Sequence, residues 1–254
     1  MAPNEVFPTP LVKLVAFEIR FPNLFFLEGR IGEFQVQVMK DFPQSDLVHR
    51  RNLMIIAGNA ENPQVQELAK QQSADTIERI WQFKAESGAR LEISTRNLVL
   101  MSEKHTSYYE GEKSFRSMVE KAVTEFFNLT QLPIVQRVGL RYVNECPLFD
   151  KTTETFMQCY NSILPVEKFR LENLSRADCI AVAKSGDMQI QHAESLRLAT
   201  PTGDILVLDL DASTENIASD KVITTTDHLH GMIADEFQNV IKKPILDFMR
   251  RGKN

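Results

Sequence analysis

The chain has 254 residues, of which 43% are hydrophobic and 25% charged, as in a globular protein with one large core or two closely packed halves. The net charge of -5 and the pI near 5.6 argue against a general nucleic-acid-binding protein, which usually carries a basic field. The three cysteines, Cys146, Cys159 and Cys179, form no C-x-x-C pair, so neither a disulfide framework nor a structural zinc site is expected.

The N-terminal residues M-A-P-N-E-V-F-P-T-P contain no basic region followed by an apolar run, which argues against a signal peptide. No apolar stretch of the sequence approaches the roughly 20 residues that a membrane-spanning helix needs. The sequence therefore predicts a soluble cytoplasmic protein without a membrane partner.

Apolar spacing in the first half of the chain predicts strands, a helix, a hairpin and a second helix. A strand is the alternative for the first helix, because Phe34, Val36 and Val38 also alternate. The hairpin turns at Ser87-Gly88, where glycine accepts positive φ without a steric penalty. The predicted elements are a strand over 11–21, a helix over 31–42, a strand over 47–57, a loop with a short helix over 58–75, strands over 77–86 and 89–101, and a helix over 112–129.

The second half repeats this order after Pro133. Thr226 is the predicted N-cap of the last helix, and Pro244 should kink that helix because proline removes a backbone hydrogen bond. The predicted elements are a strand over 134–146, a helix over 155–164, strands over 178–184, 188–199 and 204–211, and a helix over 227–250.

The repeated order predicts an α+β fold built from two related halves, 8–132 and 133–254. Each half would be an antiparallel sheet with a long packed helix, and the two would share one core. Similar segments open the halves, V-A-F at 15–17 and V-G-L at 138–140. Recognition would then take place at the junction of the halves.

Five segments resemble one known family. They are P-L-V-K-L-V-A-F-E-I-R-F at 10–21, W-Q-F at 81–83, R-V-G-L-R-Y-V-N at 137–144, L-D-L-D at 208–211 and D-E-F at 235–237. Together they are similar to a sporadically distributed prokaryotic family of uncharacterised proteins of about this length, and the R-x-G-L-R-Y-x-N strand is the most specific part. The family has no assigned activity, so the resemblance implies no catalytic residue. Its patchy distribution implies an accessory gene, such as one of a defence locus.

Arg137 and Arg141 lie four residues apart on a predicted strand, so both side chains point to the same face, with Gly139 between them. Guanidinium groups in this arrangement could hold a phosphate, a carboxylate or a nucleic-acid backbone. The competing interpretation is a structural ion-pair network with acids on neighbouring strands. Tyr142 and Asn144 of the same segment complete the candidate site for an anion or a protein partner. The candidate acids are Glu18, Glu78 and Glu92.

Asp209 and Asp211 share one face of another predicted strand and could bind Mg²⁺ or Mn²⁺ through their carboxylates. Asp187, Glu194 or His192 would supply further ligands for metal-dependent phosphodiester cleavage. The alternative is a solvated or hydrogen-bonded strand face, since D-x-D is a common string.

Two further groups of residues have a functional and a structural interpretation. The aromatic residues could stack on nucleic-acid bases or could form a core cluster. Asp227 with His228 could transfer a proton, but no nucleophile accompanies them, and His230 lies two residues further on. The aromatic residues concerned are Trp81, Phe83, Tyr108, Tyr109 and Tyr142.

No G-x-S-x-G, P-loop, G-x-G-x-x-G or H-E-x-x-H motif occurs, so an enzyme is less favoured than a binding protein. The sequence predicts a non-catalytic binding or assembly protein of an accessory prokaryotic system, without a cofactor. Its expected partner is another protein, encoded nearby, and the acidic balance makes nucleic acid less favoured. The alternatives are a metal-dependent nuclease or phosphodiesterase and a sensor of a small anionic ligand.

Overall fold

The computed structural model describes residues 6–51, 77–105, 107–109, 111, 114–200 and 203–251. These residues form nine strands and six α-helices. The strands are β1 (Val12–Arg20), β2 (Gln44–Arg51), β3 (Ile77–Lys84), β4 (Arg90–Ile93), β5 (Asn97–Ser102), β6 (Ile134–Pro147), β7 (Asp178–Ser185), β8 (Met188–Thr200) and β9 (Gly203–Ala218). The helices are α1 (Leu27–Val38), α2 (Phe115–Thr130), α3 (Thr153–Cys159), α4 (Val166–Phe169), α5 (Val222–Val240) and α6 (Lys243–Arg250).

The described strands form one antiparallel sheet in the order β2-β3-β4-β5-β1-β6-β9-β8-β7. β1 and β6 are neighbours at its centre, with Phe17 opposite Leu140. Each of them also pairs with the last strand of its own meander, β5 for β1 and β9 for β6. The mixed α and β content and the antiparallel pairing are as predicted, but the described strands form one continuous sheet instead of one sheet in each half. A duplication relating 8–132 to 133–254 stays a prediction.

The helices pack on one face of the sheet, here called the helix face. The ring of Phe34 on α1 lies 5.9 Å from that of Phe83 on β3, and the rings of Phe21 and Phe126 lie 4.8 Å apart. On β1, alternate residues are buried at this face, as period-two alternation predicts. The opposite face, here called the charged face, carries most of the acidic and basic residues of the central strands.

The first helix begins and ends four residues earlier than predicted, at Leu27 and Val38, and the strand alternative is wrong. β2 spans Gln44–Arg51, so its predicted continuation over 52–57 and the predicted loop over 58–75 lie outside the described residues. Other bounds differ by a few residues. α3 ends at Cys159 instead of residue 164, and β9 continues to Ala218 instead of residue 211.

The single strand predicted over 89–101 is two strands, because the chain reverses between β4 and β5. The Ser94 amide donates to the carbonyl of Asn97 (2.9 Å), and the Ser94 hydroxyl donates to Oδ1 of Asn97 (2.6 Å). Side-chain hydrogen bonds of this kind stabilise a turn without glycine or proline, which is why sequence spacing missed it.

The predicted helix over 227–250 is two helices. α5 begins at Val222, so Thr226 is an interior residue whose hydroxyl donates to the Val222 carbonyl (2.7 Å), and the N-cap prediction is wrong. α5 ends at Val240, and Pro244 lies in the first turn of α6, which begins at Lys243. A proline ring at 244 would clash with the carbonyl of residue 240 in a continuous helix, which explains a break where a kink was predicted.

Candidate functional site

Arg137 lies on the charged face between two acids from different strands. Its Nη1 donates to Oε2 of Glu18 on β1 (2.7 Å), and its Nη2 donates to Oδ1 of Asp211 on β9 (3.0 Å). Only 19% of the Arg137 side chain is exposed, and Glu18 also accepts from Nε of Arg20 (3.0 Å). The guanidinium therefore joins three strands of the sheet and has its charge satisfied within the protein.

Gly139 makes room for this guanidinium. A Cβ atom built on residue 139 would stand 2.2 Å from Nη1 of Arg137 and 2.7 Å from its Cζ. Gly139 lies opposite Glu18 in the β1–β6 register. The glycine in the R-x-G-L-R segment thus allows the side chain of Arg137 to lie along its own strand and reach Glu18 and Asp211.

Arg141 and Asp209 form a second pair. Nε of Arg141 donates to Oδ1 of Asp209 (2.8 Å), and Nη2 donates to Oδ2 (2.5 Å), so the contact is bidentate. The side chain of Arg141 is 48% exposed. Hydrogen bonding to Asp209 raises the pKa of Arg141, so it stays protonated. The two arginines predicted to bind an anion therefore form ion pairs with the two aspartates predicted to bind a metal.

Tyr142 and Asn144 lie on the other face of the same strand. Both are buried on the helix face, where the Tyr142 hydroxyl is 3.3 Å from Nδ1 of His230 and Nδ2 of Asn144 donates to the carbonyl of Leu208 (3.2 Å). Successive side chains of a strand point to opposite faces. The structure thus does not bring Tyr142 and Asn144 together with Arg137 and Arg141.

His192 and Glu194 also point to the helix face, away from Asp209 and Asp211. His192 lies opposite Leu210 and Glu194 opposite Leu208, both core residues. The carbonyl of Asp187, in the turn before β8, accepts from Thr214 (2.9 Å). Among the described residues, no three His, Cys, Asp or Glu side chains are placed to hold a metal ion together.

His192 and Glu194 form a buried polar cluster instead. Nδ1 of His192 is 2.6 Å from Oε1 of Glu236 on α5, and its Nε2 is 2.8 Å from Oε1 of Glu194, which is 0% exposed. Glu194 also accepts from the Ser162 hydroxyl and from the Ile163 amide (3.3 Å). Burial lowers the pKa of His192, but the hydrogen bonds to the two glutamates outweigh it and leave the pKa raised. The cluster ties β8 to α5 and to the loop after α3.

β7 is the outer strand of the described sheet on the side of β8, and seven of its eight residues are exposed. Ile180 is 69% exposed and Val182 57%, both on the charged face. Asp178 and Lys184 are the charged residues of this strand, and they lie near its two ends. An apolar edge strand of this length presents unpaired backbone groups to another chain.

The opposite edge of the described sheet has a different composition. β2 reads Q-S-D-L-V-H-R-R, so four of its eight residues are ionisable. Arg50 on this strand approaches Oε2 of Glu92 on β4 at 3.4 Å. Charged side chains at an edge discourage pairing with another strand. Among the described residues, the two edges of the sheet are therefore not equivalent, and β7 carries fewer charged side chains than β2.

Sequence reasoning did not select β7 as a candidate site. Its pattern, D-C-I-A-V-A-K-S, has apolar residues on both faces, as in a strand buried within a sheet. Only the strand order shows that β7 lies at the edge. One signal in the sequence could have indicated an edge strand. Ala181 and Ala183 are small, whereas a buried strand would have larger residues at these positions.

The chain matches no protein-family model, and comparisons with curated proteins and with solved structures gave no significant match. The resemblance of its R-x-G-L-R-Y-x-N strand to a prokaryotic family therefore stays a prediction. None of the helices formed by the described residues combines the length and apolar character needed to cross a lipid bilayer.

Proposed function

We propose that the protein is a non-catalytic assembly protein, in which β7 of one copy pairs antiparallel with β7 of a second copy. The observation that carries the proposal is the exposure of Ile180 and Val182 on an edge strand whose five central residues are uncharged. Strand addition of this kind gives affinity through backbone hydrogen bonds and specificity through the side chains. A single sheet would then run through both copies.

Symmetry restricts how β7 can pair with itself. A two-fold axis perpendicular to the sheet keeps each side chain on its own face, so only residues of the same parity can lie opposite one another. The register centred on Ala181 places Asp178 opposite Lys184 of the second copy, and Ile180 opposite Val182. The two-fold axis repeats each pair, so this register has two pairs of opposite charges at its ends and two apolar pairs in its middle.

Neighbouring registers lack this complementarity. Centring the pair on Ile180 would place Arg176 opposite Lys184 of the second copy, and like charges directly opposite are destabilising. Centring it on Val182 would place the apolar Ile180 opposite Lys184. The register through Ala181 therefore favours a second copy of this chain over a strand of unrelated sequence.

The alternative functions have less support. A nuclease would need Asp209 and Asp211 for a metal, and an anion sensor would need Arg137 and Arg141 for its ligand. Each of these four side chains already forms an ion pair with another of them. A ligand or a metal would have to compete with these internal contacts.

Sedimentation equilibrium tests the proposal. The wild-type chain should sediment as a dimer, at twice its mass of 29.0 kDa. Val182→Lys should give a monomer, because it places two extra positive charges beside the symmetry axis. Leu47→Lys is the matched control, since Leu47 is an exposed apolar residue, 46% accessible, on the other edge strand, and this variant should remain dimeric.

A wild-type monomer at concentrations up to the millimolar range would overturn the proposal. So would a dimer that Val182→Lys leaves intact while its circular dichroism spectrum is unchanged. Loss of the dimer in Leu47→Lys would assign the interface to β2.

A further inference from the structure

A cavity of about 160 Å³ lies between the helix face of β6 and helix α5. The chain before β1 closes one side of it, and this segment is fixed by a hydrogen bond from the Thr9 amide to the carbonyl of Met249 (3.0 Å). Residues from before and after Pro133 both line it. Its apolar walls include Phe7, Leu11, Ile233 and Phe237.

Three aromatic residues and two histidines form the polar side of the cavity. The ring of Tyr108 stacks on that of His230, with centroids 4.0 Å apart and planes 9° apart. His105 makes an edge contact with Tyr142 at 5.4 Å, and Tyr109 makes one with Tyr108 at 4.7 Å. These side chains lie next to one another and line one small volume.

Contacts behind the cavity hold this wall in place. The Tyr108 hydroxyl donates to Oδ1 of Asp227 (3.0 Å), and Asp227 accepts from Nε and Nη2 of Arg116 (2.9 and 3.1 Å). Side chains fixed by such contacts form a preorganised binding wall, so less conformational entropy is lost when a ligand binds.

The cavity is electrically neutral. Burial lowers the pKa of both His105 and His230 to about 4, so neither imidazole is protonated near pH 7. The side chains that line the cavity, among the residues that the structure describes, include no Asp, Glu, Lys or Arg. An ionised ligand would lose its hydration there without gaining an opposite charge.

We propose that this cavity is a binding site for a small neutral aromatic molecule with one hydrogen-bonding group, and that His230 binds that group. An apolar cavity of about 150 Å³ accommodates a benzene-sized ring, so the volume suits a single ring with one substituent. Tyr142 engages Nδ1 of His230, which leaves Nε2 for the ligand. The site is independent of β7 and of the assembly proposed above.

Isothermal titration calorimetry with phenol, toluene and benzoate tests the site. Phenol and toluene have nearly the same shape, but only phenol carries a hydroxyl, and benzoate is charged at neutral pH. Phenol should bind the wild-type chain at one site, and benzoate should not bind. Ala234→Phe should abolish phenol binding because its ring fills the cavity that Ala234 lines.

Two histidine variants on α5 distinguish the contribution of ring shape to ligand affinity from the contribution of the hydrogen bond. His230→Phe keeps a ring against Tyr108 but removes the nitrogens, so phenol affinity should fall roughly tenfold while toluene affinity is unchanged. His228→Phe is the matched control, because His228 is exposed on the same helix, and it should bind phenol as the wild type does.

Several results would overturn the site. They are the absence of saturable phenol binding to the wild-type chain, benzoate binding as tightly as phenol, and equal phenol affinity in Ala234→Phe and the wild type. Equal losses of phenol and toluene affinity in a folded His230→Phe variant would show that His230 is not the hydrogen-bonding group.

Discussion

The guanidinium of Arg137 lies against the backbone of Gly139, two residues further along the same strand, where a Cβ atom would stand 2.2 Å from Nη1. We expect Gly139→Ala to lower the free energy of unfolding by about 1–2 kcal/mol, because the methyl group displaces Arg137 from Glu18 and Asp211. Urea denaturation of the two proteins measures this difference.

The sign of the Gly139→Ala effect should reverse once Arg137 is removed. In an Arg137→Met background nothing remains for the methyl group to displace, and alanine restricts the unfolded chain more than glycine does. Gly139→Ala should then be neutral or stabilising by up to about 1 kcal/mol. An equal loss in both backgrounds would show that the two residues are not coupled.

The two arginines of the charged face should differ in their contribution to stability. Arg137→Met leaves Glu18 and Asp211 without their shared partner in a mostly buried position, and should cost about 2–3 kcal/mol. Arg141→Met removes a half-exposed pair and should cost less than about 1 kcal/mol. Equal losses in urea titrations would contradict the assignment of Arg137 as the residue that joins three strands.

The sequence allowed these ion pairs to be anticipated only in part. Alternation placed Arg137 and Arg141 on one face, and Glu18 was among the predicted partners of the arginines. The pairing with Asp209 and Asp211 could not be predicted, because it depends on β9 lying beside β6. Strand order is decided by packing between distant segments, which the spacing of residues along one strand does not report.

The separation of Tyr142 and Asn144 from the arginines could have been predicted. On β6 the two arginines have odd numbers and Tyr142 and Asn144 have even numbers, so period-two alternation alone assigns Tyr142 and Asn144 to the other face. The cavity they help to form could not be foreseen, since it also needs the chain before β1 and helix α5. Period-two alternation reports which face of a strand a side chain occupies, but no local rule reports which distant segments meet.

The buried cluster around His192 should be sensitive to loss of charge. Glu194→Gln removes the fully buried carboxylate that contacts Nε2 of His192, and should lower the free energy of unfolding by about 3 kcal/mol or more. Glu167→Gln on α4 is the control, because it is the same change at an exposed position, and it should change this free energy by less than about 1 kcal/mol. Thermal and urea unfolding measure both, and a neutral Glu194→Gln variant would contradict the proposed role of the cluster.

The same cluster predicts a loss of stability as the pH rises. The pKa of His192 is raised in the folded protein, so its protonated form contributes stability that is lost as the pH rises from about 6.5 through the folded pKa. Glu194 and Glu236 are the acids facing it. His192→Gln should flatten the stability profile in this pH range, and an unchanged slope would contradict the assignment.

His105 and His230, the two histidines of the cavity, should lower the stability of the protein as the pH falls, whereas His192 lowers it as the pH rises. Their pKa is about 4 in the folded protein and near 6.5 when unfolded, so the unfolded state binds more protons as the pH falls between these values. Each histidine should remove about 3 kcal/mol of stability by pH 4. The free energy of unfolding of His230→Phe and of the wild type should be measured from pH 7 to 4. The difference between the two proteins separates the contribution of His230 from that of the carboxylates, which titrate in both. A constant difference would contradict it.

Thiol cross-linking at position 181 examines the paired edge strands most directly. With β7 paired about a two-fold axis through Ala181, the two Cα atoms of that residue would lie roughly 4.5–5.5 Å apart, within the range that a disulfide spans. In a Cys179→Ser background, Ala181→Cys should give a disulfide-linked dimer on mild oxidation. Ser185→Cys should not, because residue 185 would lie opposite residue 177. Absence of the Ala181→Cys cross-link, or equal cross-linking of both variants, would contradict pairing through β7.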